Sequence, residues 1–161
     1  MPEIIIIVAV AKNNVIGNKG QIPWYIKDDF KHFKQKTLGH PCIMGDVTYE
    51  SLPKKPLPGR ENIVLTFNKD YHPEGASVFY SFEQALKHCQ NQEKVFIIGG
   101  ASIYKQAMSF ANTLEITKIG RDFEGDTYFP EIKAAEWELV GQVNQTHEKY
   151  GPYSFLTYKR K

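Results

Sequence analysis

The segment Ile4–Val10 reads Ile-Ile-Ile-Ile-Val-Ala-Val and is apolar at every position. A strand with no polar face must be covered on both sides, as in the parallel sheets of α/β proteins. The run reaches Ala11 at most, under half the length of a membrane-spanning helix. Cys42–Met44 and Val95–Ile98 share its character, and Asn62–Phe67 and Thr113–Ile119 are also strand-like. Helical segments lie between them: Ile26–Thr37, Val47–Leu52, Ser81 to about His88, and about Ser102 to Phe110. Ser81 with Gln84 three residues on is a capping-box pattern. Strands alternating with helices predict a mostly parallel sheet flanked by helices. The tail differs, because Trp137–Val143 and Tyr153–Lys159 are long aromatic-bearing strands suited to an antiparallel pair at the edge.

A chain of 161 residues is enough for one well-buried domain, expected over residues 1–161. The net charge of +2 gives no global field for nucleic acid or a membrane surface, and neither is expected as a partner. Glu3 stands where a secretory signal would be basic. Cys42 and Cys89 are far apart and form no zinc-ligand spacing, so no metal is expected and a reducing, cytoplasmic setting is.

Asp29 is the first residue that local rules leave unexplained. At about 100° per residue, Ile26, Phe30, Phe33 and Thr37 share one stripe of the helix, with Asp29 beside it and Asp28 pointing away. Both aspartates suit a helix N-terminus, but an acid beside two phenylalanines is partly desolvated, which costs energy unless it has a partner or a task. Gly99-Gly100, between a strand and a helix, is an arrangement that presents backbone N–H groups to a diphosphate. Neither GxGxxG nor the P-loop pattern is present, which disfavours a standard Rossmann dehydrogenase and a P-loop kinase. The polar segment Lys12–Trp24 is long for a connection and reads as a functional loop. Pro53–Arg60 holds three prolines and a glycine, a rigid turn that ends in an arginine whose fork suits a carboxylate. Thr117 lies mid-strand, and Gly125–Pro130 reads as a turn into a terminal strand.

The order of these features resembles the dihydrofolate reductase family. Ile22-Pro-Trp24 with Asp29 is similar to its loop-and-helix signature. Met44-Gly45, Thr48, Glu50-Ser51, Leu57-Pro-Gly-Arg60 and Asn62 resemble the next block. Ile97-Ile-Gly-Gly100 with Tyr104, then Thr117 and Gly125-Asp-Thr-Tyr-Phe-Pro130, complete the match in family order. The resemblance implies a twisted sheet of about eight strands, flanking helices and a C-terminal antiparallel hairpin. It implies an NADPH-dependent reduction of 7,8-dihydrofolate to tetrahydrofolate by a cytoplasmic monomer.

By that resemblance Asp29 would bond the pterin's amino group and ring nitrogen, braced by Thr117, with Trp24 holding a water and Ile22 and Tyr104 completing the reacting centre. Ile7, Phe30, Phe33, Leu52, Leu57 and Ile98 would border the substrate. Arg60, with Lys34 or Lys54 nearby, would grip the carboxylate of its tail. Ala9, Ile16, Gly17 and Ile22 would border the nicotinamide, with Asn18, Lys19, Gly20 and Gln21 in the closing loop and Thr127 behind it. Gly45, Val47, Thr48 and the run Gly99, Gly100, Ala101, Ser102, Ile103 would meet the diphosphate. Asp46, Leu65, Thr66, Phe67 and Gln106 would lie toward the adenosine end.

Several positions depart from the family pattern. Asp46 stands where a basic residue is usual, and Phe67 and Ser102 stand where many members place Ser or Arg. Tyr49 replaces Trp or Phe, Lys27 a proline, and Ile22 a Met or Leu. The missing cations leave open whether NADH is also used. Two rival readings are a same-fold pyrimidine reductase of flavin biosynthesis and a non-catalytic nucleotide-binding domain. The first would lack the Pro-Trp…Asp29 spacing, and the second has no need of the acid.

Overall fold

The computed structural model describes residues 1–161. Its first strand, β1 (Glu3–Ala11), shows why the opening run is apolar throughout. Ile4, Ile6, Val8 and Val10 enter a large core cluster on one face of the sheet. Ile5 and Ile7 enter a second cluster with Met44, Tyr49 and Phe96 on the other, and Ala11 joins a third with Trp24 and Ile26. The two-residue period of a strand therefore divides one continuous run between two covered faces.

The remaining elements are β2 (Val15–Gly17), α1 (Lys27–Thr37), β3 (Cys42–Gly45), α2 (Asp46–Ser51), β4 (Asn62–Leu65), β5 (Ala76–Phe79), α3 (Phe82–His88), β6 (Lys94–Gly99), α4 (Ala101–Ala107), β7 (Thr113–Ile119), β8 (Thr127–Tyr128), β9 (Trp137–His147) and β10 (Gly151–Arg160). Eight strands form the main sheet in the order β5-β4-β3-β6-β1-β7-β10-β9. The first six are mutually parallel, while β10 runs antiparallel to both β7 and β9. An α/β sheet that is mostly parallel and closed by an antiparallel hairpin is the expected architecture. No helix is long and apolar enough to cross a membrane.

The chain leaves β1, builds β3, β4 and β5 outward on one side, returns to insert β6, and then crosses to β7 on the other side. In an open α/β sheet, such a reversal leaves a crevice at the carboxyl ends of the strands. Three strands go beyond the sequence expectation. β5, Ala-Ser-Val-Phe, is a half-buried edge strand without an apolar run to announce it. β2 and β8 pair with each other inside segments that read as a loop and a turn. The expected helix to Phe110 ends at Ala107 and the strand to Phe67 ends at Leu65, whereas β9 continues to His147. Ser81 caps α3 as expected, accepting the Gln84 N–H at 3.1 Å.

The β2–β8 pair ties the segment after β1 to the segment after β7. Asp126 N–H donates to the Gly17 carbonyl at 3.1 Å and Phe129 N–H to that of Asn14 at 2.9 Å. Gly125 has no room for a side chain, because a Cβ there would overlap Val15 and come within 2.6 Å of the Gly17 oxygen. Gly125→Ala should therefore lower stability by about 1–3 kcal/mol, as overpacking does. Urea denaturation checks this, with a fall in midpoint at unchanged slope as the expected result.

Candidate active site

Helix α1 begins after Ile26, which is extended and buried, and carries Asp28 and Asp29 in its first turn. Asp28 is exposed, while Asp29 lies against the sheet. The Thr117 hydroxyl on β7 donates to Asp29 Oδ1 at 2.6 Å. Thr117 is buried and paired in register with Ala9 of β1 on one side and Phe155 of β10 on the other. Burial raises the Asp29 pKa above the ordinary aspartate value, and the Thr117 hydrogen bond only partly opposes this. No cation contributes to holding the group ionised. The buried Tyr104 hydroxyl donates to the Ile7 carbonyl at 3.0 Å. Desolvation pushes its phenol pKa up, and the Asp29 charge adds to that shift.

Phe33, Leu52, Leu57 and Ile98 all pack, half-buried, on the core cluster that contains Ile7, so the structure brings these expected apolar residues together. Phe30 departs from the expected stripe. It is 49% exposed, with its ring 5.2 Å from that of the exposed Tyr25. The rest of the stripe is kept, with Ile26 and Thr37 buried and Phe33 half-buried. The seated face extends toward Asp29, however, where Asp29 meets Thr117, His32 stacks on Phe155 at 4.0 Å, and Lys36 pairs with Glu115 at 3.2 Å, so Phe30 on the opposite edge is turned out. Arg60 is held by its own turn and by α1, donating to the Pro58 carbonyl at 2.9 Å and the Thr37 hydroxyl at 3.0 Å. Lys34 and Lys54 are exposed.

The loop after β1 turns tightly at Asn18–Gln21, whose backbones bond each other in both directions. Lys19 and Gly20 at its centre have φ of 51° and 77°, the left-handed pair of a hairpin turn. Asp126 Oδ2 accepts the Lys19 N–H at 3.0 Å, and Thr127 donates to Asp126 Oδ1 at 2.8 Å. Ile16 packs on the large core cluster, whereas Ile22 beyond the turn is 57% exposed. Trp24 is buried, with its ring 5.0 Å from Phe123. Phe123 in turn lies 5.8 Å from Tyr150, whose hydroxyl accepts the Tyr25 N–H at 3.4 Å.

Gly99 has φ of 116° and a cis peptide to Gly100, and a Cβ on Gly99 would sit 3.1–3.2 Å from the Tyr104 ring and hydroxyl. Only glycine suits that backbone. The Cβ position of Gly100 lies 3.6 Å from Thr48 Oγ1 and that of Gly45 lies 3.4 Å from Ile103. The starts of α2 and α4 are therefore neighbours, each led by glycine. Ala101 is half-buried behind Gly100, and Val47 is 78% exposed. Beside these turns, Gly45, Asp46, Leu65, Thr66, Phe67, Ser102, Ile103 and Gln106 line a single cleft.

A family model described as dihydrofolate reductase matches residues 3–160. The chain is 45% identical over 159 residues to a dihydrofolate reductase of Neisseria gonorrhoeae, covering 98% of each chain. It is 40% identical over 157 residues to that of Bacillus subtilis, covering 96% of this chain and 93% of the relative. A solved dihydrofolate reductase from Enterococcus faecalis, complexed with NADP(H) and RAB-propyl, superimposes with a TM-score of 0.90 at 36% identity, over 99% of this chain and 96% of that one. The chain belongs to the dihydrofolate reductase family. The candidate site also contains residues that sequence reasoning missed. Tyr80, Ser81 and Phe82 line the cleft, and Phe123 and Tyr150 back Trp24. Ser81 was visible as a helix cap, but its place in the cleft depends on the unannounced β5.

The raised pKa of Asp29 has a consequence for stability. An acid that binds its proton more tightly when folded costs stability as pH rises through the interval from its unfolded to its folded pKa. The cost is absent below the ordinary aspartate range and complete above the folded pKa. Asp29→Asn should accordingly raise Tm at pH 7, with the gain disappearing in acid as wild-type Asp29 becomes neutral. Calorimetric scans of both proteins from pH 3 to 8 check the sign.

Proposed function

We propose that Asp29 and Thr117 form the proton-handling centre of an enzyme that reduces 7,8-dihydrofolate to 5,6,7,8-tetrahydrofolate with NADPH. The observation that carries this is the desolvated Asp29 carboxylate, bonded by one hydroxyl and no cation, at an apolar recess. The carboxylate accepts hydrogen bonds from the pterin's amino group and favours a protonated ring nitrogen. That proton makes the adjacent carbon a better hydride acceptor. Thr117 holds Asp29 Oδ1, so the second oxygen is oriented toward the ring. Phe33, Leu52, Leu57 and Ile98 exclude water around it, and Trp24 positions an ordered water from its seat on Phe123. Arg60, preset by Pro58 and Thr37, binds the carboxylate of the folate tail.

Reduced nicotinamide, when bound, supplies the hydride. The residues fit a dinucleotide, because Gly45 and Gly100 each lead one of two adjoining helix starts, and Gly100 carries no side chain between its backbone and Thr48. Thr48 and Ala101 to Ile103 extend that site. Ala9, Ile16, Gly17 and Ile22 border the nicotinamide, and the Asn18–Gln21 turn with Thr127 closes over it. Closing lids of this kind work on the μs–ms scale. The reading includes a monomer with one catalytic domain over residues 1–161. Cys42 and Cys89 are free and buried, with thiols that burial pushes up to about 12 and about 11, in keeping with a reducing cytoplasm.

Loss of absorbance at the reduced-nicotinamide band on mixing with dihydrofolate tests the reaction, and no change with any nicotinamide dinucleotide would remove it. Asp29→Asn should lower turnover by about 100-fold or more, the usual scale for a proton-transfer group, and recover partly as pH falls and the substrate protonates in solution. Asp28→Asn should be nearly silent. Arg60→Leu should weaken folate binding by about 10- to 150-fold, the range for a lost charge-assisted hydrogen bond. A pteridine without the tail should bind almost unchanged, and equal losses for both ligands would make Arg60 structural.

A further inference from the structure

Four parallel strands of the sheet end at the cleft beside the glycine turns, a cavity of about 170 Å³. Asp46 follows β3, Thr66 and Phe67 follow β4, Tyr80 follows β5, and Ser102 lies on α4 after β6. No lysine, arginine or histidine lines it, and Asp46 is its one charged group. That carboxylate is fixed in place. Its Oδ1 accepts the Val47 N–H at 2.7 Å and its Oδ2 the Thr66 hydroxyl at 2.7 Å. Each oxygen still has a lone pair free to accept a second hydrogen bond. Phe67, 92% exposed, and Tyr80, 40% exposed, offer aromatic surface to a planar base.

We propose that Asp46 selects a free ribose hydroxyl at the adenosine end of the dinucleotide, so that this enzyme uses NADH alongside NADPH with little preference between them. The proposal rests on the reductase reading above. A ribose 2′-hydroxyl donates a hydrogen bond that a carboxylate accepts, an arrangement known from other dinucleotide sites. A 2′-phosphate instead brings about 1.5–2 negative charges, as phosphate esters do near neutral pH. Here it would face an acid with no cation lining the cavity to offset the repulsion. One cation stands at the rim: Lys69 Nζ lies 5.9 Å from the centroid of the Tyr80 ring, outside the lining residues.

Calorimetric titration of the folate-free enzyme gives Kd for NADPH, NADH and the fragments ADP and adenosine 2′,5′-bisphosphate. Steady-state assays with dihydrofolate give kcat/KM for each dinucleotide at low and moderate salt. The expected result is a preference between the dinucleotides of about tenfold or less, a single step of about 1.4 kcal/mol. Asp46→Arg should tighten NADPH and the bisphosphate by about 10- to 150-fold, the range for a charge-assisted hydrogen bond, and weaken NADH. Ser102→Arg, on a different element, should tighten the same two ligands while Asp46 stays in place. A strong NADPH preference that neither variant improves would overturn the proposal, as would a strong preference abolished by Lys69→Ala. Absence of turnover with both dinucleotides would overturn the reductase reading instead, and the fragment affinities would still decide the role of Asp46.

Discussion

The hydrogen bond from Thr117 to Asp29 joins the first turn of α1 to the centre of the sheet, and the rest of the site is arranged around it. A hydroxyl on β7 fixes one carboxylate oxygen, and burial raises the proton affinity of the group with no cation to offset it. The result is an acid whose proton is easier to keep than on the surface, held where an apolar wall meets a polar one. His32 on Phe155 and Lys36 on Glu115 seat the same helix, so the position of Asp29 is set by three contacts along its length. Glu115 is itself bonded by Thr157 across β10. The antiparallel hairpin thereby stiffens β7 behind the acid.

The sheet supplies the other half of the arrangement. Because β1 is apolar on both faces it sits centrally, and the strands on either side end together at one crevice. Gly45 and Gly100 lead two adjoining helix starts there, Gly99 leaves room for the Tyr104 ring, and the Tyr104 hydroxyl locks the turn to β1 through the Ile7 carbonyl. The loop after β1 is anchored as far as its turn by Asp126, which accepts the Lys19 N–H, and by the short β2–β8 pair, while Ile22 beyond the turn stays exposed.

Much of this was legible in the sequence wherever a single element carried the signal. The run Ile4–Val10, the Ser81 cap and the edge hairpin each follow from local rules and appear as expected. Asp29 stood out because an acid beside phenylalanines conflicts with burial, and the structure pairs it with Thr117, also singled out. The helical-face argument held for Ile26, Phe33, Thr37 and Asp29 and missed only at Phe30, since polar partners on β7 and β10 draw the seated face toward Asp29 and His32, which helix periodicity does not register. β5 and the β2–β8 pair were hidden for a related reason. They are short, half-buried and defined by distant neighbours, Val15 with Tyr128 and Ala76 with Asn62. Tyr80 and Ser81 enter the adenosine-side cleft only through β5, so their place there was hidden too.

The central claim is that burial, and not a charge partner, sets the proton affinity of Asp29, with Thr117 pulling the other way. Carbon-13 NMR of the aspartate carboxyls, titrated in the wild-type protein and in Thr117→Val, reads this directly. Asp29 should titrate above the ordinary aspartate value of about 3.9, and loss of the Thr117 hydroxyl should move it higher still. An Asp29 that titrates at or below the ordinary value, or that moves down in Thr117→Val, would contradict it.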